Sequence, residues 1–339
     1  MGSKLSIMTT IQLALASENN YFCGLLVTAT SIAHFADKNA ALNFTILDNG
    51  ITNENYSLLE TTIASHHPNT TLQRIKISNH NFTNFPTWHG NKATYARLLL
   101  PDILPHSISH VIYCDVDFLW MIDVAKLWSE RNADIAFISA KDINAHIKNG
   151  ESNWYKTRGL KIDMEKYFCA GLSFFNLNIF RKENISRKVM DFISKHHDVG
   201  LPDQTALNAI LTDNHLLVDQ CWQRFSRDSP IETLQSPMAL HYAGDAPWNI
   251  SKRSHMLTDV QLLWFRFNAS IRKITLWQSL RMHYAPSEII AYRILFKIVM
   301  YTPPLRYIFN LLLSATGRWG FYERLKRKQF RTLNAILTF

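Results

Sequence analysis

At 339 residues, 47% apolar and with only 11 Gly and 11 Pro, the chain can bury a full core and is unsuited to long disordered tracts. Its four cysteines, Cys23, Cys114, Cys169 and Cys221, lie far apart with no C-x-x-C pair, which argues against a zinc site and a disulfide framework and fits a reducing compartment. The net charge of +9 is uneven: Lys252 to Phe339 carry 15 Lys and Arg against 3 Asp and Glu, while the first 251 residues hold 21 against 24. A near-neutral body with a basic tail points the tail at an anionic surface, either membrane or nucleic acid.

In chain order, the first apolar run could pass for a signal peptide, but Thr9, Thr10 and Gln12 interrupt it, and Ile11 to Ala16 reads as a buried strand. A polar break at Ser17-Glu18-Asn19-Asn20 precedes a helix from Tyr21 to Ala36 that is apolar on most faces. Leu42 to Leu47 is a second strand ending at Asp48-Asn49-Gly50, Asn53 to His66 a second helix, and Thr71 to Ile77 a third strand. Alternating strands and helices imply a mostly parallel sheet covered on both faces, with ligands beyond the carboxyl ends of its strands. Asn91 to Leu100 reads as a helix that stops at Pro101; Val111 to Cys114, Ile135 to Ser139 and Leu172 to Asn176 read as further strands. After Trp248 the texture turns to helical segments rich in cations and aromatics, so the boundary is placed at 250: residues 1–250 form an α/β domain and 251–339 a basic helical region.

Two features carry chemistry. Asp115-Val116-Asp117 follows an apolar strand directly, and carboxylates at i and i+2 on an extended segment share a side. Such oxygen ligands suit Mg²⁺ or Mn²⁺, which can bridge to nucleotide phosphates; the bland alternative is a solvated loop. The second is His241-Tyr242-Ala243-Gly244-Asp245-Ala246-Pro247-Trp248, where a His at a strand end offers a nitrogen ligand that Mn²⁺ tolerates better than Mg²⁺. Its alternative is a core histidine beside a turn.

Together these motifs resemble the retaining glycosyltransferases of family eight, in particular bacterial enzymes that add galactose or glucose to lipopolysaccharide or lipooligosaccharide. The resemblance spans about residues 11 to 250. It implies a Rossmann-like GT-A fold and a uridine-binding turn at Ala16-Ser17-Glu18-Asn19-Asn20-Tyr21, with Glu18, Asn20 and Tyr21 on the nucleotide. Thr94-Tyr95-Ala96-Arg97 is similar to the family's Tyr-x-Arg segment, whose Arg supports the acidic motif and the donor. Asp115, Asp117 and His241 match the metal ligands, with Val116 and Gly244 beside the nucleotide. Tyr167-Phe168-Cys169-Ala170-Gly171 resembles the segment lining the donor sugar, Cys169 standing where the family has Asn. Asp142 resembles the Asp facing that sugar, and Asp203-Gln204 the pair beside the anomeric carbon. The family's Lys before Pro-Trp is missing here, since Ala246 runs straight into Pro247. Diphosphate stabilisation then falls to the metal, Arg97, or Lys252 and Arg253.

The resemblance thus implies a metal-dependent enzyme using UDP-glucose or UDP-galactose and a glycan or glycolipid acceptor, on the cytoplasmic face of a bacterial membrane. Interleaved aromatics and cations, as in Trp264-Phe265-Arg266-Phe267 and Arg324-Leu325-Lys326-Arg327-Lys328, suit a membrane interface or a helical cap; no nucleic-acid motif is present. Two other classes stay open: a Mg²⁺-dependent nucleotidyl- or phosphotransferase, and a catalytically weak relative that only binds UDP-sugar.

Overall fold

The computed structural model describes residues 9–301 apart from 79–81, 88–91, 144–150, 199, 227–236, 245 and 253–256. The described residues form two compact units, one from Met1–Val116 and Ile122–Gln223, the other from Asp117–Met121 and Arg224–Phe339.

The first unit opens with β1 (Thr10–Ser17), α1 (Phe22–Phe35), β2 (Ala41–Asp48), α2 (Asn53–His66) and β3 (Thr70–Lys76). β1 is buried from Leu13 to Ser17 and α1 from Gly24 to Ala33, as expected of elements covered on nearly all sides in a parallel sheet. Thr52 caps α2 by accepting from Asn55 N. Next come α3 (Leu100–Ile103), β4 (His110–Cys114), α4 (Val124–Ser129), β6 (Phe137–Ala140), α5 (Glu151–Thr157), β7 (Leu172–Asn176), α6 (Leu177–Lys182), α7 (Ile185–Lys195), α8 (Pro202–Ile210) and β8 (His215–Val218), while β5 (Phe118–Trp120) belongs to the second unit.

The seven strands order as β3-β2-β1-β4-β7-β6-β8. β7 alone runs against its neighbours, pairing Cys114 with Leu172 and Ile138 with Phe174. That reversal positions the site. Parallel β1, β4 and β6 deliver their carboxyl ends to one edge, and antiparallel β7 delivers the residues that precede it, Tyr167 to Gly171, to the same edge. Asp115 N accordingly donates to Gly171 O at 2.8 Å.

One expected helix differs. Ala93–Leu99 is a 3-10 helix, and α3 runs through Pro101 instead of stopping there. Pro101 occupies the first turn of α3, where a missing N–H leaves no helical bond unmade.

The second unit contains a three-stranded sheet ordered β5-β10-β9, with β9 at Arg224–Phe225 and β10 at Ala239–His241. Helices α9 (Asp259–Arg272), α10 (Leu276–Arg281) and α11 (Pro286–Tyr301) follow. Thr258 with Gln261, and Thr275 with Gln278, form capping boxes that start α9 and α10. α9 buries Leu263, Trp264, Phe265 and Phe267. The tail motif at Arg324 to Lys328 lies outside the described residues.

Candidate active site

In the first unit the site is built around Arg97, whose side chain is 1% exposed. Its Nη2 donates to Asp115 Oδ1 at 2.6 Å, its Nη1 to Ala170 O, and its Nε to Thr94 O at 3.0 Å with Asp203 Oδ2 at 3.2 Å. The guanidinium also lies 4.4 Å over the Tyr113 ring. Burial disfavours this charge, yet the Asp115 and Asp203 carboxylates outweigh it and hold Arg97 above its ordinary value. All three nitrogens donate within the protein, so Arg97 acts by orienting Asp115. The chain bends at Val116 and Asp117, so partner contacts rather than strand alternation aim the two carboxylates.

Helix α8 clasps the segment before β7. Gln204 Oε1 accepts from Ala170 N at 3.0 Å, while Asn208, one turn on, accepts from Phe168 N at 3.0 Å and donates to Phe168 O at 2.9 Å. Residues four apart share a helix face, so two amides can hold one strand-like segment. Cys169 between them is 5% exposed, its carbonyl accepting from Ser139 Oγ at 2.6 Å. The other end of the Gln204 amide donates to Asp142 Oδ2 at 2.9 Å. Asp142, Gln204, Ala170, Arg97, Asp115 and Asp203 therefore form one continuous polar chain. Asp142, Asp203 and Gln204 are 5%, 7% and 6% exposed, and buried polar groups of this kind are held only where every partner is in place.

At the β1 end, Ala16 is buried, Glu18 and Tyr21 are half-buried, and Asn20 is exposed in a 3-10 turn, Asn19–Tyr21. Asn19, which motif matching passes over, fastens the turn by accepting from Thr52 N at 3.2 Å and Asn55 Nδ2 at 2.8 Å. Also missed were Asn208, Thr28, whose hydroxyl donates to Val116 O at 2.8 Å, and Gln223, which accepts from Leu172 N at 2.8 Å. Single polar residues inside apolar runs are the only sequence signal for them.

In the second unit, antiparallel pairing sets His241 opposite Phe118, and Tyr242 N donates to Asp117 O at 2.8 Å. The imidazole stacks on Phe118 at 4.2 Å and Phe225 at 5.4 Å, which fixes its plane. His241 Nε2 lies 3.2 Å from Asp117 Oδ1. Yet Asp117 Oδ1 and His241 Nδ1 are buried with no hydrogen-bond partner among the described residues. A proton on Nε2 can join the two side chains, and a divalent cation that accepts oxygen and nitrogen ligands also fits this donor set. Gly244 has φ of 67°, a left-handed turn that favours glycine at that place.

A mostly parallel sheet with an acidic motif at the carboxyl edge of a central strand is the arrangement of the GT-A glycosyltransferase fold. The fold is similar to that of galactosyltransferase LgtC in complex with donor and acceptor sugar analogues, at a TM-score of 0.64 and 19% identity, covering 80% of this chain and all of that one. Residues 12–251 match the family model for Glycosyl transferase family 8, and the chain belongs to that family. It is 28% identical over 264 residues to general stress protein A of Bacillus subtilis, across 72% of this chain and 88% of that protein. It is 27% identical over 172 residues to the lipopolysaccharide 1,3-galactosyltransferase of Salmonella typhimurium, across 46% of this chain and 49% of that protein.

Proposed function

We propose that the protein is a retaining hexosyltransferase that moves glucose or galactose from UDP-sugar to a saccharide acceptor in lipopolysaccharide or another surface glycan. The observation that carries this is the Asp117–His241 pair, 3.2 Å apart with buried, unpartnered atoms on both side chains. Asp115 lies two positions before Asp117 in the chain and is aimed by Arg97. A Mn²⁺ or Mg²⁺ ion held by Asp115, Asp117 and His241 would supply Lewis-acid stabilisation of the leaving diphosphate.

The residues favour substitution on one face of the sugar. The bond from the anomeric carbon to the phosphate oxygen breaks, the acceptor oxygen bonds to the same face, and the departing phosphate takes the acceptor's proton. Gln204 is a neutral amide held at both ends, which suits orienting the sugar and not attacking it. Asp203 is committed to Arg97. Mass spectrometry that trapped a hexose on Asp142 or Asp203 would overturn this route.

Family membership favours this reading over a nucleotidyl- or phosphotransferase. The reading of a weakly active UDP-sugar binder rests on Cys169 and on the missing Lys before Pro247. The deciding experiment follows UDP release from UDP-glucose, UDP-galactose and their N-acetyl forms, with and without Mn²⁺. We expect metal-dependent turnover with a hexose donor; tight UDP binding with no transfer to any acceptor would establish the weaker reading.

For residues 251–339 we propose attachment to the cytoplasmic face of a bacterial membrane. Supporting this, Trp277 on α10, Met282 just after it, and Ile290 and Ile294 on α11 are 43–52% exposed, in a region of net charge +12. No helix among the described residues is long and apolar enough to cross a membrane. Cutting the chain at 250 would remove the buried face of α9, so the test is substitution of Trp277, Ile290 and Ile294 by Ser. Loss of flotation with anionic liposomes is expected, and unchanged flotation of this variant and of a chain ending at 301 would exclude the role.

A further inference from the structure

α5 contains a buried carboxylate that the proposed chemistry does not use. Glu151, at the start of α5, is 0% exposed. Its Oε2 accepts from Thr205 Oγ1 at 2.7 Å and from the Tyr167 hydroxyl at 3.3 Å, while Oε1 is buried with no hydrogen-bond partner among the described residues. One turn on, the Tyr155 hydroxyl donates to Thr205 O at 2.6 Å. α5 therefore grips Thr205 by both its side chain and its carbonyl. A buried carboxylate with an unmade bond is costly and needs a compensating role.

That role follows from how α8 begins. Thr205 is the next residue after Asp203 and Gln204 in the first turn of α8. The turn has no side-chain cap of its own: its N-cap is Leu201, and Pro202 supplies no N–H. Asp203 must reach Arg97, and Gln204 must span from Ala170 N to Asp142, so small shifts of this turn would misplace both. Tyr167 continues the clamp to the segment that α8 clasps, since Asp142 N donates to Tyr167 O at 2.9 Å.

We infer that Glu151 is a positioning residue for sugar transfer, which through Thr205 fixes the first turn of α8 and so the placement of Gln204 against Asp142. The inference rests on the transferase reading above. Burial, and after it the charge of Asp142, push the Glu151 carboxyl above its ordinary value against the opposing pull of the hydrogen bonds from Thr205 and Tyr167.

The test uses the full-length protein with Mn²⁺, measuring steady-state UDP release and UDP binding by titration. Glu151→Ala and Thr205→Val should each lower kcat by about tenfold or more, the scale of a slight misplacement at a reacting centre, with KM for the donor and Kd for UDP within about twofold. Glu151→Gln, which keeps an acceptor for the Thr205 hydroxyl, should recover most of the loss. The double variant should be scarcely worse than either single one, because both remove the same contact. An unchanged kcat in folded Glu151→Ala or Thr205→Val, equal losses in kcat and UDP binding, or failure of Glu151→Gln to rescue would each overturn the inference. If Glu151→Ala does not fold, Thr205→Val and Glu151→Gln decide. A wild-type protein inactive toward every UDP-sugar would instead defeat the transferase reading on which the inference stands.

Discussion

Arg97 reaches Asp115 from beneath the sheet edge: a guanidinium 1% exposed donates at 2.6 Å to a carboxylate whose side chain is still 32% exposed. The buried cation thus holds one oxygen of Asp115 and leaves the carboxylate in reach of solvent. Asp203 balances the same guanidinium on its other side.

Removing that cation should therefore damage both fold and function. Arg97→Leu leaves Asp115 and Asp203 without their shared partner and should cost about 3–5 kcal/mol, read from urea unfolding. Arg97→Lys keeps the charge without the planar fork, so stability should partly recover while transfer stays low. A Lys variant with wild-type turnover would remove Arg97 from the site's machinery.

Asp117→Asn and His241→Ala should each lower transfer by about 10²-fold or more, the scale of lost preorganised charge stabilisation. Chelation should abolish wild-type turnover and added Mn²⁺ should restore it. The binding readout is Mn²⁺ titration by electron paramagnetic resonance, where both variants should bind more weakly than the wild type.

Asn208→Ala strips the hydrogen bonds from both backbone groups of Phe168. Each stranded group in a buried place costs about 1–3 kcal/mol, so the variant should unfold at lower urea. Its kcat should fall with it, because the freed segment includes Cys169 and Ala170. Unchanged stability would show the clasp to be dispensable.

The first unit should lose stability in mild acid. His34 and His66, at the ends of α1 and α2, meet Nδ1 to Nδ1 at 3.0 Å, a contact that needs one donor and one acceptor. Burial, the charge of His66 and Lys38 lower His34; burial and Lys38 lower His66. The unfolded chain then takes up protons near pH 6.5 that the folded chain refuses, so stability is full above that pH and declines as pH falls through the lowered folded values. In the second unit, His283, lowered to about 4 chiefly by burial, gives a loss of the same sign. His66→Gln should flatten the fall in Tm between pH 7.5 and 5 relative to wild type; an equally steep fall would clear the pair of the effect.

Much of the site was legible because its residues cluster in short local strings. Asp115-Val116-Asp117 after an apolar strand, Asp203-Gln204 opening a helix and His241 before Gly244 can all be read within a few positions. The αβ alternation of the first 77 residues is equally local, and β1, α1, β2, α2 and β3 form close to where hydrophobic periodicity places them. Residue spacing alone did not reveal pairings across long stretches of sequence; the meeting of His241 with Asp117 came only from the family resemblance. His241 meets Asp117 only because β10 aligns antiparallel to β5, and Gln223 meets Leu172 across 51 positions. Glu151 has no motif at all, since a lone Glu reads as a solvated helix face until burial is known.

The amino-acid sequence by itself determined the repertoire: strands whose continuous apolar runs demand cover on both faces, carboxylates at a strand's end, and a basic, aromatic tail. Side-chain chemistry and periodicity are local properties, so they survive in a one-dimensional text. The tertiary structure alone decided which charges neutralise one another. It added Asp203 to the Arg97–Asp115 pair that the resemblance implied, set the direction of β7 that carries Gly171 to Asp115, and closed Glu151 over Thr205. Those outcomes depend on desolvation and on distances between residues far apart in the chain, and both come into being only when the sheet has formed.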